Sequence, residues 1–244
     1  MVWARWPLET SLYEHGLTIG ESKVHLKSDT KAAITVAEVE IRRHRQELTD
    51  YIREHPDFQY ALEPVEVPSE APRVVRIMAG ASRKASVGPM AAVAGALADL
   101  ALEAMRKSGA KTAVVEDGGE IAVFTDQPIT IEVLSSSLEL SGKFGFCITR
   151  EDCPIGIATS SSKTGHAISF GEADSVTVVA DDAALADAAA TAVCNSVVGV
   201  DIEKSIQKGL EKTKAIKGVR GAIITREGHA GLTGKLPKII KIKE

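Results

Sequence analysis

The sequence is poor in aromatic residues and cysteines, and it has no apolar run of membrane-spanning length. Aromatic residues make up 4% of the 244 residues, and the three cysteines, Cys147, Cys153 and Cys194, form no CxxC pair. An odd cysteine count in a chain of this size argues against a disulfide framework and indicates a reducing compartment. The longest apolar stretches, such as residues 90–98, are far shorter than the roughly 20 residues of a membrane helix. With no leader-like segment or lipobox-like cysteine near the start, we expect a cytoplasmic protein without a membrane partner.

The chain also lacks an excess of charge of one sign. It has 29 basic and 33 acidic residues, for a net charge of -4, so it has no basic field of the kind that draws proteins to nucleic acid. Hydrophobic residues at 44% and charged residues at 25% are ordinary globular values. We therefore predict one folded domain over residues 1–244, with an N-terminal strand–helix unit and linker in residues 1–72 and a duplicated core in residues 73–244.

Hydrophobic periodicity predicts the elements along the chain. Residues 9–27 alternate as a strand or hairpin, and residues 31–54 repeat as an amphipathic helix with one face on a sheet. His44 lies on that face, and we interpret it as a core histidine with no chemical role. Four prolines in residues 55–73 predict an extended connection. A buried strand is predicted at residues 74–79, after which Gly88 and Pro89 begin an Ala-rich helix that Gly109 ends.

The second half is predicted to be mostly strands. Candidates at residues 111–115, 121–124, 129–134 and 145–149 suggest an antiparallel meander. A strand at residues 175–180 leads into a second Ala-rich helix at residues 181–198, and residues 219–225 pair with a basic strand at residues 238–243 as a C-terminal hairpin. The fold class is therefore α+β, with a mostly antiparallel sheet packed by Ala-rich helices.

The two Ala-rich helices carry related sequences. Residues 96–104 read ALADLALEA and residues 184–192 read ALADAAATA, which match at six of nine positions. Ala-rich helices also resemble one another by composition alone, but the shared Asp favours an internal strand–helix duplication. Small residues on both helices would permit close packing side by side.

Three polar residues lie one turn apart on the second of these helices. Asp187, Thr191 and Asn195 share one face of an otherwise apolar segment. A carboxylate and a hydroxyl one turn apart can supply hard oxygen ligands to Mg²⁺ on a nucleotide. The same stripe is also typical of the solvated side of a surface helix, and the spacing alone does not decide between these interpretations.

Two further segments have the composition of ligand-binding loops. Residues 158–171 gather serines, threonines, a lysine and a histidine, which suits phosphate or carbonyl oxygens but also suits a mobile polar loop. The turn of Asp117, Gly118, Gly119 and Glu120 would let a ligand approach the backbone closely, although a plain hairpin turn has the same sequence.

The order of these blocks resembles the ApbE-like superfamily, the FAD:protein FMN transferases. The blocks are G-P-M through Gly95, G-G-E-I, A-T-S followed by a histidine, and SVTVVA followed by A-D-x-x-x-T. The resemblance covers roughly residues 74–200, and its most specific block is the strand followed by the A-D-x-x-x-T helix.

The resemblance implies an FAD site between duplicated halves, with Mg²⁺ held by Asp187, Thr191 and a main-chain carbonyl near Ala91. In the transferases, a protein threonine attacks the FMN phosphorus and AMP leaves; water in its place would hydrolyse FAD. His166 is the implied catalytic, substrate-facing residue. The implied cofactor-binding residues are Gly88, Met90, Ala91, Asp99, Gly118, Gly119, Glu120, Thr159 and Ser160.

The sequence departs from the family pattern at two places. Ala94 stands where the family has a lysine, and no proline-containing segment follows His166. Two alternatives therefore stay open: a non-catalytic ligand-binding or assembly module, and a sulfur-assimilation protein that uses Cys194. Trp3, Trp6 and the Ala-rich faces suggest a homodimer.

Overall fold

The computed structural model describes residues 4–5, 12–132, 144–162 and 170–242. Within these ranges the chain forms six α-helices, two short 3-10 helices (Pro89–Ala92 and Arg150–Asp152) and twelve strands. The helices are α1 (Lys31–Glu54), α2 (Pro56–Tyr60), α3 (Arg73–Ala85), α4 (Val93–Lys107), α5 (Ala183–Ser196) and α6 (Ile202–Ala215). The strands are β1 (Ala4–Arg5), β2 (Tyr13–Ile19), β3 (Ser22–Ser28), β4 (Thr112–Asp117), β5 (Glu120–Thr125), β6 (Ile129–Glu132), β7 (Phe144–Ile148), β8 (Ile155–Ser160), β9 (Ser175–Ala180), β10 (Val219–Arg226), β11 (His229–Gly234) and β12 (Lys238–Lys241).

The strands form two antiparallel sheets. The larger has the order β11-β10-β9-β8-β5-β4-β3-β2, and the smaller has the order β1-β6-β7-β12. Every pairing of neighbouring strands is antiparallel. The buried faces of α4 and α5 pack against the larger sheet, which confirms the predicted α+β class with a mostly antiparallel sheet packed by Ala-rich helices.

The prediction of a strand at residues 74–79 is wrong, because this segment is the first half of α3. Val74, Val75, Met78 and Ala81 are all buried, and their spacings of three and four are those of one helix face. The adjacent β-branched residues Val74 and Val75 favour a strand, but packing of this segment against α5 stabilises it as a helix. Consequently no strand directly precedes the first Ala-rich helix.

Two pairings also differ from prediction. The strands expected at residues 129–134 and 145–149 form β6 and β7 of the smaller sheet, so the meander divides between two sheets; residues 133 and 134 lie outside the described ranges. The C-terminal hairpin pairs β10 with β11, whereas the basic strand β12 pairs with β7.

Helix α1, expected to lie on a sheet, packs mainly against α4. His44 on α1 is 2% exposed and lies between Glu40 and Glu47, as a core histidine should.

The two Ala-rich helices cap each other. Asp99 on α4 accepts hydrogen bonds from the N–H groups of Ala183 and Ala184 at the start of α5, both at 2.9 Å. Asp187 on α5 accepts one from the N–H of Gly95 at the start of α4, at 3.0 Å. Because the first N–H groups of a helix have no partner within it, each aspartate completes the other helix. The shared Asp of the repeated segment therefore has the same role in both copies.

Close contact between α4 and α5 depends on Gly95, where an added Cβ would lie 2.2 Å from the carbonyl oxygen of Ala183. We expect Gly95→Ala to lower the free energy of unfolding by about 3 kcal/mol, because the obstructing atoms belong to the backbone. Urea unfolding measures this loss. The matched control is Gly80→Ala on α3, where a Cβ would meet nothing within 4 Å and stability should rise by about 0.5–1 kcal/mol. Equal effects at both glycines would contradict the close-contact argument.

Among the described residues, no single helix is long and apolar enough to span a membrane. Only α3 taken together with the segment Pro89–Lys107 reaches that length and composition, and this pair is bent by 103°.

Candidate functional site

A cavity of about 590 Å³ lies beside α5 and the turn between β4 and β5. It falls within the range of small-molecule sites. Its walls come from α1, the start of α4, this turn, the end of β8 and the polar face of α5. Of the residues predicted for the site, the cavity brings together Met90, Gly118, Glu120, Thr159, Ser160, Asp187 and Thr191. We call this cavity the candidate pocket.

Asp187 and Thr191 both line the candidate pocket, so the polar stripe on α5 faces a concavity. Asp187 has one carboxylate oxygen fixed by the N–H of Gly95 at 3.0 Å, which orients the side chain. Burial raises the pKa of Asp187 to about 8, against the lowering effect of hydrogen bonds from the backbone of Gly95 and Ala94. Asn195, the third residue of the stripe, accepts a hydrogen bond from the N–H of Phe170 at 2.9 Å and does not line the pocket.

The turn between β4 and β5 supplies two further carboxylates. Gly118 and Gly119 have φ values of 70° and 117°, which glycine adopts without strain. The tight turn therefore places both Asp117 and Glu120 at the pocket. Burial raises the pKa of Asp117 to about 6 and that of Glu120 well above its ordinary value, and the charge of Asp187 raises that of Glu120 further.

Asp117 has a buried oxygen with no hydrogen-bond partner. The residue is 2% exposed, and its Oδ2 atom is unsatisfied within the described part of the chain. Such an atom is costly to bury without a partner, and the residue that carries it lines the candidate pocket. In the sequence, Asp117 is recognisable only as part of a glycine turn, so its place at the pocket was not predicted.

Arg45 on α1 is the one cationic side chain among the described residues that line the candidate pocket. Its Nη1 donates to the hydroxyl of Ser22 at 2.8 Å, and Ser22 and the charge of Arg45 both oppose the rise in the pKa of Asp117. Glu21, Asp117, Glu120 and Asp187 also line the pocket, giving four carboxylates to one guanidinium. Arg45 lies far from every motif in sequence, so no local signal identified it.

Other predicted site residues lie elsewhere. Gly88 is buried against the backbone of Ala61, where an added Cβ would be 1.8 Å from the carbonyl oxygen, so its role is packing. Ala91 and Gly119 adjoin the candidate pocket without lining it. Asp99 caps α5 and lines a different cavity. His166 lies outside the described residues.

Within the described ranges, no three His, Cys, Asp or Glu side chains are close enough together to hold a metal ion by themselves. A cation in the candidate pocket would therefore need other oxygen ligands as well. The hydroxyl of Thr191 and the free oxygen of Asp117 are of the hard type that Mg²⁺ prefers, and substrate phosphates commonly complete its shell. The residues present thus fit a magnesium–phosphate complex better than a bare metal.

Two of the three thiols, those of Cys153 and Cys194, lie in surroundings that disfavour reactivity. Cys194 on α5 has no exposed surface. Burial raises the pKa of the Cys153 thiol, which lowers its thiolate fraction.

The fold has the architecture of ApbE-type flavin transferases. A solved ApbE protein from Thermotoga maritima superposes with a TM-score of 0.61 at 15% identity, covering 91% of this chain and 96% of that one. A variant of the flavin transferase ApbE from Vibrio cholerae gives 0.58 at 12% identity, covering 92% and 97%. At these identities the likeness establishes the fold, and the class is that of ApbE-like α+β proteins.

The chain belongs to the family whose model is described as AbpE bacteria, which matches residues 8–228. A UPF0280 protein from Methanosarcina acetivorans is 38% identical over 238 residues, covering 98% of this chain and 92% of that protein. A UPF0280 protein from Methanothermobacter thermautotrophicus is 38% identical over 229 residues, covering 92% and 86%. The resemblance to the ApbE-like superfamily noted in the sequence is confirmed.

Proposed function

We propose that the candidate pocket binds a flavin nucleotide together with Mg²⁺, and that the protein transfers FMN from FAD to an acceptor or hydrolyses FAD. The observation that carries this proposal is the convergence of Asp187, Thr191 and Asp117 on one cavity. Solved proteins with this fold are named as flavin transferases, which supports the same reading.

The charge of the pocket argues for a cation in the complex. With its four carboxylates ionised against one guanidinium, the pocket would repel a bare pyrophosphate. A divalent cation bound between the carboxylates and the phosphates removes this repulsion. When bound, Mg²⁺ would polarise the pyrophosphate.

The protein's own groups then have separate tasks. Asp187 and Thr191 would hold the metal, with Asp187 oriented by the N–H of Gly95. Arg45 is placed to meet a phosphate oxygen that the metal does not contact. Thr159 and Ser160, at the end of β8, supply hydroxyls to the polar part of the ligand. His166 remains a proposed substrate-facing residue.

Ala94, in place of the family lysine, lines the candidate pocket, so the expected cationic contact is missing from this position. This favours the first alternative, a module that binds the nucleotide without transferring it. The second alternative, sulfur chemistry at Cys194, finds no support in a thiol without exposed surface. A small-molecule nucleotide as partner, a homodimer, a cytoplasmic location and a single domain remain predictions.

Calorimetric titration with FAD, with Mg²⁺ and then with EDTA, tests the proposal. We expect submicromolar binding with the metal and at least roughly 100-fold weaker binding without it. AMP release measured in the same samples separates an enzyme from a binding module. FAD binding that is absent, or equal with EDTA, would overturn the proposal.

Asp117→Asn should weaken magnesium-dependent binding by about tenfold, because it removes a charge that faces the cation. The same change should stabilise the protein without metal at neutral pH, since it removes a buried carboxylate whose pKa is raised to about 6. Urea unfolding and FAD titration together check this pair of effects. Weaker binding together with lower stability would instead indicate a purely structural role for Asp117.

A further inference from the structure

The guanidinium of Arg45 rests on the turn that joins β2 to β3. This turn consists of Gly20 and Glu21, and we call it the N-terminal turn. A Cβ added at Gly20 would lie 2.5 Å from Nη2 of Arg45, 3.2 Å from its Nε and 3.3 Å from its Cζ. Three atoms of the guanidinium therefore occupy the space beside one backbone position, and the absence of a side chain at Gly20 leaves room for them.

A hydrogen bond also holds the guanidinium at this place. Nη1 of Arg45 donates to the hydroxyl of Ser22, the first residue of β3, at 2.8 Å. Ser22 is buried, and it lines the candidate pocket together with Glu21 and Arg45. Because a side chain that is already fixed loses less freedom when a ligand binds, these contacts prepare Arg45 for binding.

Most of the hydrogen-bond donors of Arg45 are not used within the described part of the chain. A guanidinium carries five N–H donors, and Ser22 is the only described side chain that accepts from this one. No carboxylate of the described residues lies within 4.0 Å of it. Arg45 is therefore a fixed cation at the pocket wall that is not consumed by an ion pair.

Helix α1 places this cation and an apolar side chain on the same wall. Arg45, Thr49 and Ile52 follow one another at spacings of four and three, and all three line the candidate pocket. Arg45 and Ile52 are seven residues apart, which is roughly 10 Å along the helix axis. A ligand that spans this wall would need an anionic group at one end and an apolar part at the other.

We propose that Arg45 binds a phosphate of the ligand, and that Gly20 and Ser22 are positioning residues that hold its guanidinium for this contact. The inference rests on the function proposed for the candidate pocket, which supplies the phosphate. Arginine suits this task because its planar group can donate two parallel hydrogen bonds to phosphate oxygens. These residues lie outside the roughly 74–200 range of the resemblance noted in the sequence, so the N-terminal hairpin becomes part of the binding site.

Titration calorimetry of the full chain with FAD and Mg²⁺ tests the contact made by Arg45. We expect Arg45→Met to weaken binding roughly 30-fold, because a side chain of similar length without charge loses the charge-assisted hydrogen bonds. Arg45→Lys keeps the charge but not the planar group, so its affinity should lie between those of Arg45→Met and the wild type. Urea midpoints establish that the variants fold.

A double-mutant cycle tests the positioning role of Gly20. Gly20→Ala puts a methyl group where the guanidinium lies, and we expect binding to weaken about tenfold. Since this effect acts through Arg45, the variant with both Gly20→Ala and Arg45→Met should bind within about twofold of Arg45→Met alone.

Gly228→Ala, in the two-residue turn between β10 and β11, is the matched control. Gly20 and Gly228 both have left-handed backbone, with φ values of 57° and 79°, but a Cβ at Gly228 would meet nothing within 4 Å. Both substitutions carry the strain of alanine in this conformation, so the two urea midpoints should fall to a similar extent. The affinity of Gly228→Ala for FAD should change less than about twofold.

The outcomes distinguish this inference from the function on which it rests. A wild-type protein that binds no FAD would overturn both. If the wild type binds FAD but Arg45→Met binds equally well, or if Arg45→Lys binds as weakly as Arg45→Met, the phosphate contact alone is refuted. Additive losses in the double variant, or equal losses of affinity in Gly20→Ala and Gly228→Ala, would refute the positioning role of Gly20.

Discussion

Asp187→Asn should abolish magnesium-dependent flavin binding while leaving the pair of Ala-rich helices intact. The asparagine amide oxygen can still accept the hydrogen bond from the N–H of Gly95, so the cap on α4 is kept. The charged metal ligand is lost, however, and we expect FAD affinity in the presence of Mg²⁺ to fall at least ~100-fold, which corresponds to about 2.7 kcal/mol. Titration calorimetry measures this change.

Asp99→Asn is the matched control for this variant. Asp99 caps α5 through both carboxylate oxygens, whereas Asp187 caps α4 through one, and Asp99 lies outside the candidate pocket. We expect flavin affinity to change less than about twofold in this variant. If both variants lose binding to the same extent, the loss comes from the helix pair and the metal-ligand role of Asp187 is refuted.

Without metal, the protein should lose stability as the pH rises from 5 to 8. The pKa of Asp187 is raised from 3.8 to about 8 by burial, and burial also raises those of Asp99 and Glu116 to about 7. As the pH rises, a carboxyl group whose pKa is higher in the folded state loses its proton in the unfolded chain before it does so in the folded one. The contribution of these three groups to the free energy of unfolding is therefore full below pH 4 and falls until each folded-state pKa is passed.

Between pH 5 and 8 we expect the free energy of unfolding to fall by roughly 3 kcal/mol or more, since a pKa shift of one unit corresponds to about 1.4 kcal/mol. Glu103 has the opposite shift, with a pKa lowered to about 2, and its stabilising contribution is lost only below pH 4.5. Urea unfolding in EDTA at each pH measures the trend, which should be shallower in Asp187→Asn. A stability that stays level or increases up to pH 8 would show that these carboxylates do not titrate as described.

Magnesium should reverse the part of this loss that comes from Asp187 above pH 7, and have little effect at pH 5. Metal binding requires the ionised carboxylates, so protons and Mg²⁺ compete for the same groups. Any ligand that binds only the folded state raises its stability by mass action.

Local sequence patterns predicted the elements that carry the candidate pocket, because those patterns reflect short-range physics. The helix period of residues 31–54 and the glycine turn of Gly118 and Gly119 both correspond to observed elements. The A-D-x-x-x-T spacing correctly placed Asp187 and Thr191 on one face. Spacing could not say whether this face meets solvent or a cavity, since that depends on α1 and β8, which are distant in the chain.

The parts that the sequence did not reveal depend on long-range contacts. Arg45 reaches the pocket from a helix whose own pattern describes only its buried face. Asp99 was expected at the nucleotide, yet it caps α5 across a separation of more than eighty residues. The β-branched pair in α3 and the division of the strands between two sheets likewise follow from tertiary packing, which overrides local propensity.

Because α4 and α5 cap each other, the start of each helix is stable only while the other helix is formed. If either start frays, the aspartate on the frayed helix leaves its position and the partner loses its N-terminal hydrogen bonds as well. Opening of this region should therefore be all-or-none, since a half-open state loses bonds at both ends of the pair. Asp187, which lines the candidate pocket, is therefore held in place by the same contacts that hold the two helices together.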